Sequence, residues 1–311
     1  MVDGQGNVYA EDDGVRADAT LCLMGLKTGL LTGAARDFVG QVEVLPLLPA
    51  GAVQPPVGLW HAQAPQLPPR RPNTHKGSFG HVLVVGGQTG MAGALLLAGE
   101  AALRAGAGKV TLAGSPQAMD AALVRCPALM GIALDAHGQS QDPHWAQLLA
   151  CAEVLVVGMG LGRGDWGRAL WQQVWDALMQ RPRRVVLDAD ALWHLADDDL
   201  SRLDPELTRH WRLTPHPGEA ARLLGKTTAD LEADRWAAVA ALQQRYGGQV
   251  LLKGAGSLVH DGQTIHGCAL GNPGMATAGM GDVLAGLAGG LLAQFESMPL
   301  IDAVLLHAAA G

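Results

Sequence analysis

His81-Val82-Leu83-Val84-Val85-Gly86-Gly87, with the small and apolar residues of 91–107 and the run Val110-Thr111-Leu112-Ala113 behind it, is the stretch that decides the fold. An apolar run closed by two glycines suits a strand buried on both faces, and small and apolar residues at helical spacing suit a helix laid tightly on a sheet. The three pieces make a βαβ unit, whose crossover is right-handed. The pattern then recurs. Strands are predicted over 154–157, 185–187, 211–214 and 250–253, with helices over 166–179, 189–195, 217–224 and 231–246. Such alternation predicts a doubly wound α/β sandwich with a mostly parallel central sheet flanked by helices. Ligands of these folds gather at the carboxyl ends of the strands, which is where the glycine-rich and charged motifs fall.

Composition narrows the partners. The chain has 311 residues, 49% hydrophobic and 16% charged, enough for one large domain with an appendage. A formal charge of -7 and a pI near 5.8, with no long basic run, give no electrostatic footprint for nucleic acid or an anionic membrane, so bound phosphates must be held locally. Cys22, Cys126, Cys151 and Cys268 lie far apart, which argues against a zinc site or disulfide framework and fits a reducing cytosol. The start of the chain lacks a basic segment followed by an apolar one, and the apolar run at 283–292 is too short and glycine-rich to span a bilayer.

That run is preceded by Gly271-Asn272-Pro273-Gly274-Met275-Ala276-Thr277-Ala278-Gly279-Met280-Gly281-Asp282. A turn-rich loop emptying into a long helix leaves the first amides of the helix unpaired, and Gly279 and Gly281 let a ligand approach them. The result is an anion hole suited to a phosphoryl group, with Asp282 in the first turn to accept a proton. Other motifs stand at strand ends. Gly86 to Ala94 and Gly158-Met159-Gly160-Leu161-Gly162 bring backbone close to a ligand or simply turn the chain. Asp188 and Asp190 suit Mg²⁺ held directly or through water, or a helix cap, with Asp188 the better candidate for the metal. In Thr214-Pro215-His216-Pro217-Gly218-Glu219, Pro217 fits the first helical position and Glu219 the reciprocal capping position, which leaves His216 as a donor for the cleft. Lys253-Gly254-Ala255-Gly256-Ser257 places a cation and a flexible turn where the phosphates of a nucleotide could sit.

Taken together, Asn272 to Thr277 with Gly279-Met280-Gly281-Asp282, Thr74 to His81, Gly90-Met91-Ala92-Gly93-Ala94, Thr214 to Glu219 and Lys253 to Gly256 resemble, in order, the motifs of the ribokinase-like NAD(P)H-hydrate dehydratases. The resemblance covers 70–311. It implies a ribokinase-like fold and a cytoplasmic lyase that dehydrates (S)-NADHX and (S)-NADPHX with ADP or ATP, ADP favoured, by phosphorylating the ring hydroxyl and eliminating phosphate. It further implies Asp282 as catalytic base and substrate contact, with Gly93, Ala94, Gly160, Gly162 and His216 on the substrate. Lys253, Gly254, Ala255, Gly256, Ser257, Gly279 and Gly281 fall to the nucleotide, with Mg²⁺ as cofactor and a homo-oligomer, a homotetramer, as assembly. This chain has Met159 where the family usually has Pro, and Ser257 where it usually has Thr.

Residues 1–45, with expected strands over 19–23 and 42–45, resemble the tail of an NAD(P)H-hydrate epimerase domain, as in the bifunctional repair enzymes. The body of that domain is absent, so no epimerase activity is expected. Residues 46–69 are expected to be a Pro-rich linker, because 46–72 holds eight of the 17 prolines. The dehydratase domain over 70–311 is expected to be truncated at its C-terminus. Two rival readings remain: a ribokinase-like small-molecule kinase, and a nucleotide-binding module without turnover.

Overall fold

In the computed structural model, residues 15–47 and 58–311 are described. The strands are β1 (Ala19–Leu23), β2 (Gln41–Leu45), β3 (Gly58–His61), β4 (His81–Val85), β5 (Lys109–Gly114), β6 (Met130–Ala133), β7 (Val154–Val157), β8 (Arg184–Leu187), β9 (Trp211–Leu213), β10 (Gln249–Leu252), β11 (Leu258–His260) and β12 (Ile265–Cys268). Strands β3 to β12 form one sheet in the order β3-β12-β11-β10-β9-β8-β7-β4-β5-β6. From β10 to β6 every pairing is parallel, while β11 runs antiparallel to β10 and β12. This is the doubly wound sandwich with a mostly parallel sheet that the alternating pattern predicts.

The helices are α1 (Ala92–Arg104), α2 (Pro116–Arg125), α3 (Trp145–Cys151), α4 (Asp165–Leu178), α5 (Asp190–Leu195), α6 (Pro205–Thr208), α7 (Pro217–Leu224), α8 (Thr228–Ala233), α9 (Arg235–Tyr246), α10 (Met280–Gln294) and α11 (Leu300–Ala310). Successive strand residues point to opposite faces, so the valine-rich strands feed two cores. Leu83, Val85, Leu155, Val157, Val185 and Leu187 face α4, α5, α7 and α9. Val82, Val84, Val154, Val156 and Val186 face α1, α10 and α11. Helices α1 and α10 lie unusually close. A methyl on Gly286 would stand 2.0 Å from Ala98 O, and one on Gly290 2.4 Å from Ala102 O, so any larger residue at either position would force these helices apart.

The expected elements are present, with ends shifted by a few residues. The segment expected as one helix over 231–246 is two, α8 and α9, and Asp234 caps the second by accepting from Ala237 N–H. The stretch expected as linker, 46–69, carries β3, which pairs in parallel with β12 at the sheet edge. Its Gly58-Leu59-Trp60-His61 run is too short for periodicity to separate it from the surrounding prolines. Residues 48–57 of that stretch, like 1–14 of the N-terminal segment, lie outside the described residues.

Strands β1 and β2 pair in parallel as a separate two-stranded sheet, joined through the 3-10 turns Thr28–Leu31 and Gly33–Asp37. Those turns dock on the loop after β10: Gly33 N–H donates to Ala255 O at 3.0 Å, and Thr32 Oγ1 donates to Gly256 O at 2.9 Å.

Candidate functional site

The carboxyl ends of β4, β7, β8 and β10 and the N-termini of α1 and α10 converge on one cleft. Gly279, left-handed at φ 91°, is the N-cap of α10, and among the described residues no side chain caps that helix. The amides of Met280, Gly281 and Asp282 are therefore open to a ligand, as the loop reading predicts. A methyl on Gly279 would meet Leu97 Cδ1 at 2.7 Å, which sets the start of α10 beside the first turns of α1. There Gly93 faces open space and no side chain caps Met91, so a second uncapped helix N-terminus adjoins the first.

Four ionisable side chains meet in front of α10. Lys253 Nζ lies 2.7 Å from Asp188 Oδ1 and 4.0 Å from Glu219 Oε2. A methyl built on Gly281 would stand 3.4 Å from the same Nζ and 3.6 Å from Asp188 Oδ2, which places the first turn of α10 directly against both side chains. Burial, with the Asp188 charge adding to it and Lys253 opposing, pushes the Asp282 carboxyl up to about 6. Glu219 is pushed up to about 7, chiefly by burial, against Lys253 and with Asp188. Burial alone would lower Lys253, but Asp188, Glu219 and Asp282 outweigh it and raise it, so the ammonium stays charged. The arrangement offers a base that is ionised at neutral pH, a fixed cation and a row of helix amides, which suits transfer of a phosphoryl group to an alcohol.

Asp188 is aimed by strain. Ala189 adopts φ 49°, ψ -122°, a conformation unfavourable for any residue with a Cβ, and Asp188 O packs where a methyl on Gly158 would be 1.8 Å away. Neither carboxylate of the pair caps α5. Asp190 Oδ2 instead accepts from Gly162 N–H at 2.9 Å and Oδ1 from Arg163 Nε at 2.8 Å. Gly162 O bonds His194 Nε2 at 2.9 Å, and Gly158 and Leu161 N–H are used by Val85 O and Gly158 O. The loop read as a possible diphosphate wrap thus spends most of its amides on its own shape. Gly160 packs on Met91 at the mouth of α1.

His216 is itself the N-cap of α7. Its Nδ1 accepts from Gly218 N–H at 3.0 Å, and Glu219 Oε2 accepts from His216 N–H at 2.8 Å. Sequence reasoning expects Ser, Thr, Asp or Asn at such a cap and leaves the imidazole wholly to the cleft. A ring nitrogen with a free lone pair does the same work, and Nε2 remains on the cleft side, 3.3 Å from Glu219 Oε1. Burial, then Lys253, lowers the His216 pKa, which keeps Nδ1 an acceptor.

The Lys253 to Ser257 loop is held from behind. Arg235, 2% exposed, donates through Nη2 to Lys253 O at 3.0 Å and through Nε to Thr32 Oγ1 at 2.9 Å. Carbonyls 253, 255 and 256 thus face Thr32, Gly33 and Arg235. In trans peptides the next amide points the opposite way, so the N–H groups of Gly254, Gly256 and Ser257 turn away from this brace as a row of donors. Ser257 Oγ donates to Gly254 O at 3.0 Å, leaving its lone pairs on the loop surface.

Sequence reasoning missed Thr32, Arg235, Arg163, Arg222 and His307. The last, on α11, has its Nε2 buried with no partner among the described residues. Thr32, Arg235 and His307 come from elements remote from the quoted motifs, while Arg163 and Arg222 closely follow two of them and carry no signal of their own in the spacing. Among the described residues no group of three or more His, Cys, Asp or Glu could hold a metal ion, and no helix is long and apolar enough to cross a membrane.

Comparison with known proteins bears on this site. A family model described as NAD(P)H-hydrate dehydratase matches residues 82–311. The bifunctional NAD(P)H-hydrate repair enzyme Nnr of Coxiella burnetii is 42% identical over 291 residues, 91% of this chain and 57% of that protein. The ADP-dependent (S)-NAD(P)H-hydrate dehydratase of Neisseria meningitidis serogroup B is 40% identical over 248 residues, 78% of this chain and 79% of that one. Among solved structures, the ADP/ATP-dependent NAD(P)H-hydrate dehydratase from Bacillus subtilis co-crystallized with ATP/Mg²⁺ superposes with a TM-score of 0.63 at 25% identity, covering 78% of this chain and 83% of that one. The chain spans a little over half the length of the bifunctional relatives it matches.

Proposed function

This chain belongs to the NAD(P)H-hydrate dehydratase family, and we propose that it dehydrates (S)-NADHX and (S)-NADPHX at the cost of an adenine nucleotide, ADP in preference to ATP, restoring NADH and NADPH. One observation carries this reading: the Asp282 carboxylate in the first turn of an uncapped helix, with Lys253 and Asp188 at the same corner. Hydroxide leaves poorly and a phosphate ester leaves well, so the hydrate is activated by phosphorylation. Asp282 takes the proton of the ring hydroxyl as its oxygen attacks the terminal phosphoryl group of the nucleotide, and the bond to the bridging oxygen breaks, releasing AMP from ADP. Amides around Gly281 and the Lys253 ammonium hold the charge that develops. Phosphate then departs from the ring with a proton from the neighbouring carbon, and the dihydronicotinamide is restored.

Gly93, Ala94, Gly160, Gly162 and His216 line the substrate side in this reading. Lys253, the loop Gly254 to Ser257 with the outward amides of Gly254, Gly256 and Ser257, Gly279 and Gly281 serve the nucleotide. The fit to Mg²⁺ is that of an ion brought by the nucleotide: Asp188 Oδ1 is taken by Lys253, its Oδ2 faces the Gly281 corner, and Mg²⁺ commonly uses one or two carboxylates with phosphates and waters. The chemistry it supplies is neutralisation of phosphate charge. A cytoplasmic homo-oligomer completes the proposal.

Purified protein incubated with (S)-NADHX, Mg²⁺ and ADP or ATP, followed by the return of reduced-nicotinamide absorbance, tests it. Return of absorbance with release of phosphate supports the dehydratase. A stable phosphorylated product with no return would identify a kinase of the same fold, and nucleotide binding without consumption would identify a module that does not turn over.

A further inference from the structure

Beside His216 and Glu219, on the α5 and α7 side of the cleft, lies a cavity of about 150 Å³ walled by Arg163, Trp193 and Arg222. The Trp193 ring carries the Arg163 guanidinium at 4.2 Å from its centroid and the Arg222 guanidinium at 3.4 Å, so the indole fixes both cations in place. Each has one carboxylate partner: Arg163 Nε donates to Asp190 Oδ1 at 2.8 Å, and Arg222 Nη2 to Asp197 Oδ2 at 2.7 Å. Those bonds leave donors over. Arg222 Nε is buried with no partner among the described residues, and a guanidinium N–H removed from water without an acceptor is costly.

We infer that this pocket is a subsite for a phosphoryl group of the dinucleotide substrate, with Arg222 and Arg163 as its ligands and Trp193 as the wall that orients them. The inference rests on the dehydratase reading. Planar guanidinium forks match phosphate oxygens, and each arginine keeps N–H donors beyond the one spent on its aspartate. The cavity suits a phosphate better than a nucleobase with its ribose. Asp190 and Asp197 balance the two arginines, while Glu219, pushed up to about 7 chiefly by burial, carries less than a full negative charge at neutral pH, which weakens its repulsion of an anion. The pocket adjoins the reaction centre through His216 and Glu219, whose Oε2 lies 4.0 Å from Lys253 Nζ, but its two arginines stand on α7 and in the loop before α4, so the phosphates of the nucleotide and of the dinucleotide are held by different groups. Both the diphosphate shared by the two hydrates and the 2′-phosphate found only on NADPHX have the chemistry required.

Arg222→Gln and Arg163→Gln in the full chain test this through KM for (S)-NADHX, for (S)-NADPHX and for ADP, with thermal melting alongside. The expected result is a rise in the hydrate KM of roughly 10- to 100-fold, with kcat less affected and the KM for ADP unmoved. A rise for both hydrates assigns the diphosphate, and a rise for NADPHX alone assigns the 2′-phosphate. Unmoved hydrate KM values in variants that melt like the wild type overturn the subsite, as does an effect confined to ADP. Should Arg222→Gln fail to fold, Arg163→Gln decides alone, since that side chain is 53% exposed and its loss leaves the packing intact. If the wild type turns over neither hydrate, the dehydratase reading falls and the subsite with it.

Discussion

Lys253 Nζ lies 2.7 Å from Asp188 Oδ1, so the cation at the end of β10 is tied to the carboxylate at the end of β8 and held at the mouth of the α10 anion hole. Lys253 is also what holds down the pKa values of Asp282 and Glu219. Lys253→Ala is expected to weaken nucleotide binding while leaving hydrate binding largely intact, which calorimetry with each ligand separates. In the same variant the acid limb of the pH–rate profile, expected near pH 6 from the Asp282 carboxyl, should move upward because the favourable charge is gone. Equal loss of both affinities, or an unmoved limb, would remove Lys253 from this role.

The two raised carboxyl groups set a pH dependence of stability. Ordinary carboxyl values near 4 in the unfolded chain become about 6 for Asp282 and about 7 for Glu219 on folding, so the folded state binds more protons through this window. Their contribution to stability is greatest below about pH 4 and is lost as pH rises through about 7. Glu219→Gln keeps an acceptor for His216 N–H and removes one ionisation. It should melt higher than the wild type above pH 7, with a flatter dependence of melting temperature on pH. A variant that melts lower throughout would show that the charged form is the stabilising one.

The brace behind the nucleotide loop is open to a single-atom test. Thr32 is fully buried, and its hydroxyl accepts from Arg235 and donates to Gly256 O. Thr32→Val keeps the shape and leaves a buried guanidinium N–H and a carbonyl unpaired, for a loss of about 1–3 kcal/mol in a denaturant titration. The KM for ADP should rise several-fold because the loop amides lose their fixed orientation, while the KM for the hydrate stays. A variant with normal ADP kinetics would make the brace structural only.

How much of this was legible in the sequence depended on how local the signal was. The valine runs at β4, β7 and β8 and the glycine-closed strand ends announced a buried parallel sheet, because burial on both faces leaves no alternation to misread. Asp282 and the Gly279-x-Gly281 turn were legible because helix start and anion hole are contiguous. The short strands β3, β11 and β12 were not, since three or four residues carry no usable period and are specified by neighbours far along the chain. Asp190 illustrates the limit at the site. Its position at the start of α5 suggested a cap, yet the partner that claims it is Gly162, 28 residues earlier, which only the pairing of β7 with β8 brings near. Thr32 and Arg235, 203 residues apart, lie beyond any reading of spacing.

The central claim is that Asp282 acts as the base in nucleotide-driven dehydration, and the most direct test is the steady-state rate of reduced-nicotinamide recovery from (S)-NADHX and ADP by wild type and Asp282→Asn. Asparagine preserves the size of the side chain and the start of α10, so the variant should fold and bind ADP at least as tightly, with one negative charge fewer beside the phosphates. Its turnover is expected to fall by roughly 10²- to 10⁴-fold, the scale of a lost general base. A folded, nucleotide-binding Asp282→Asn that recovers NADH at near the wild-type rate would contradict the account.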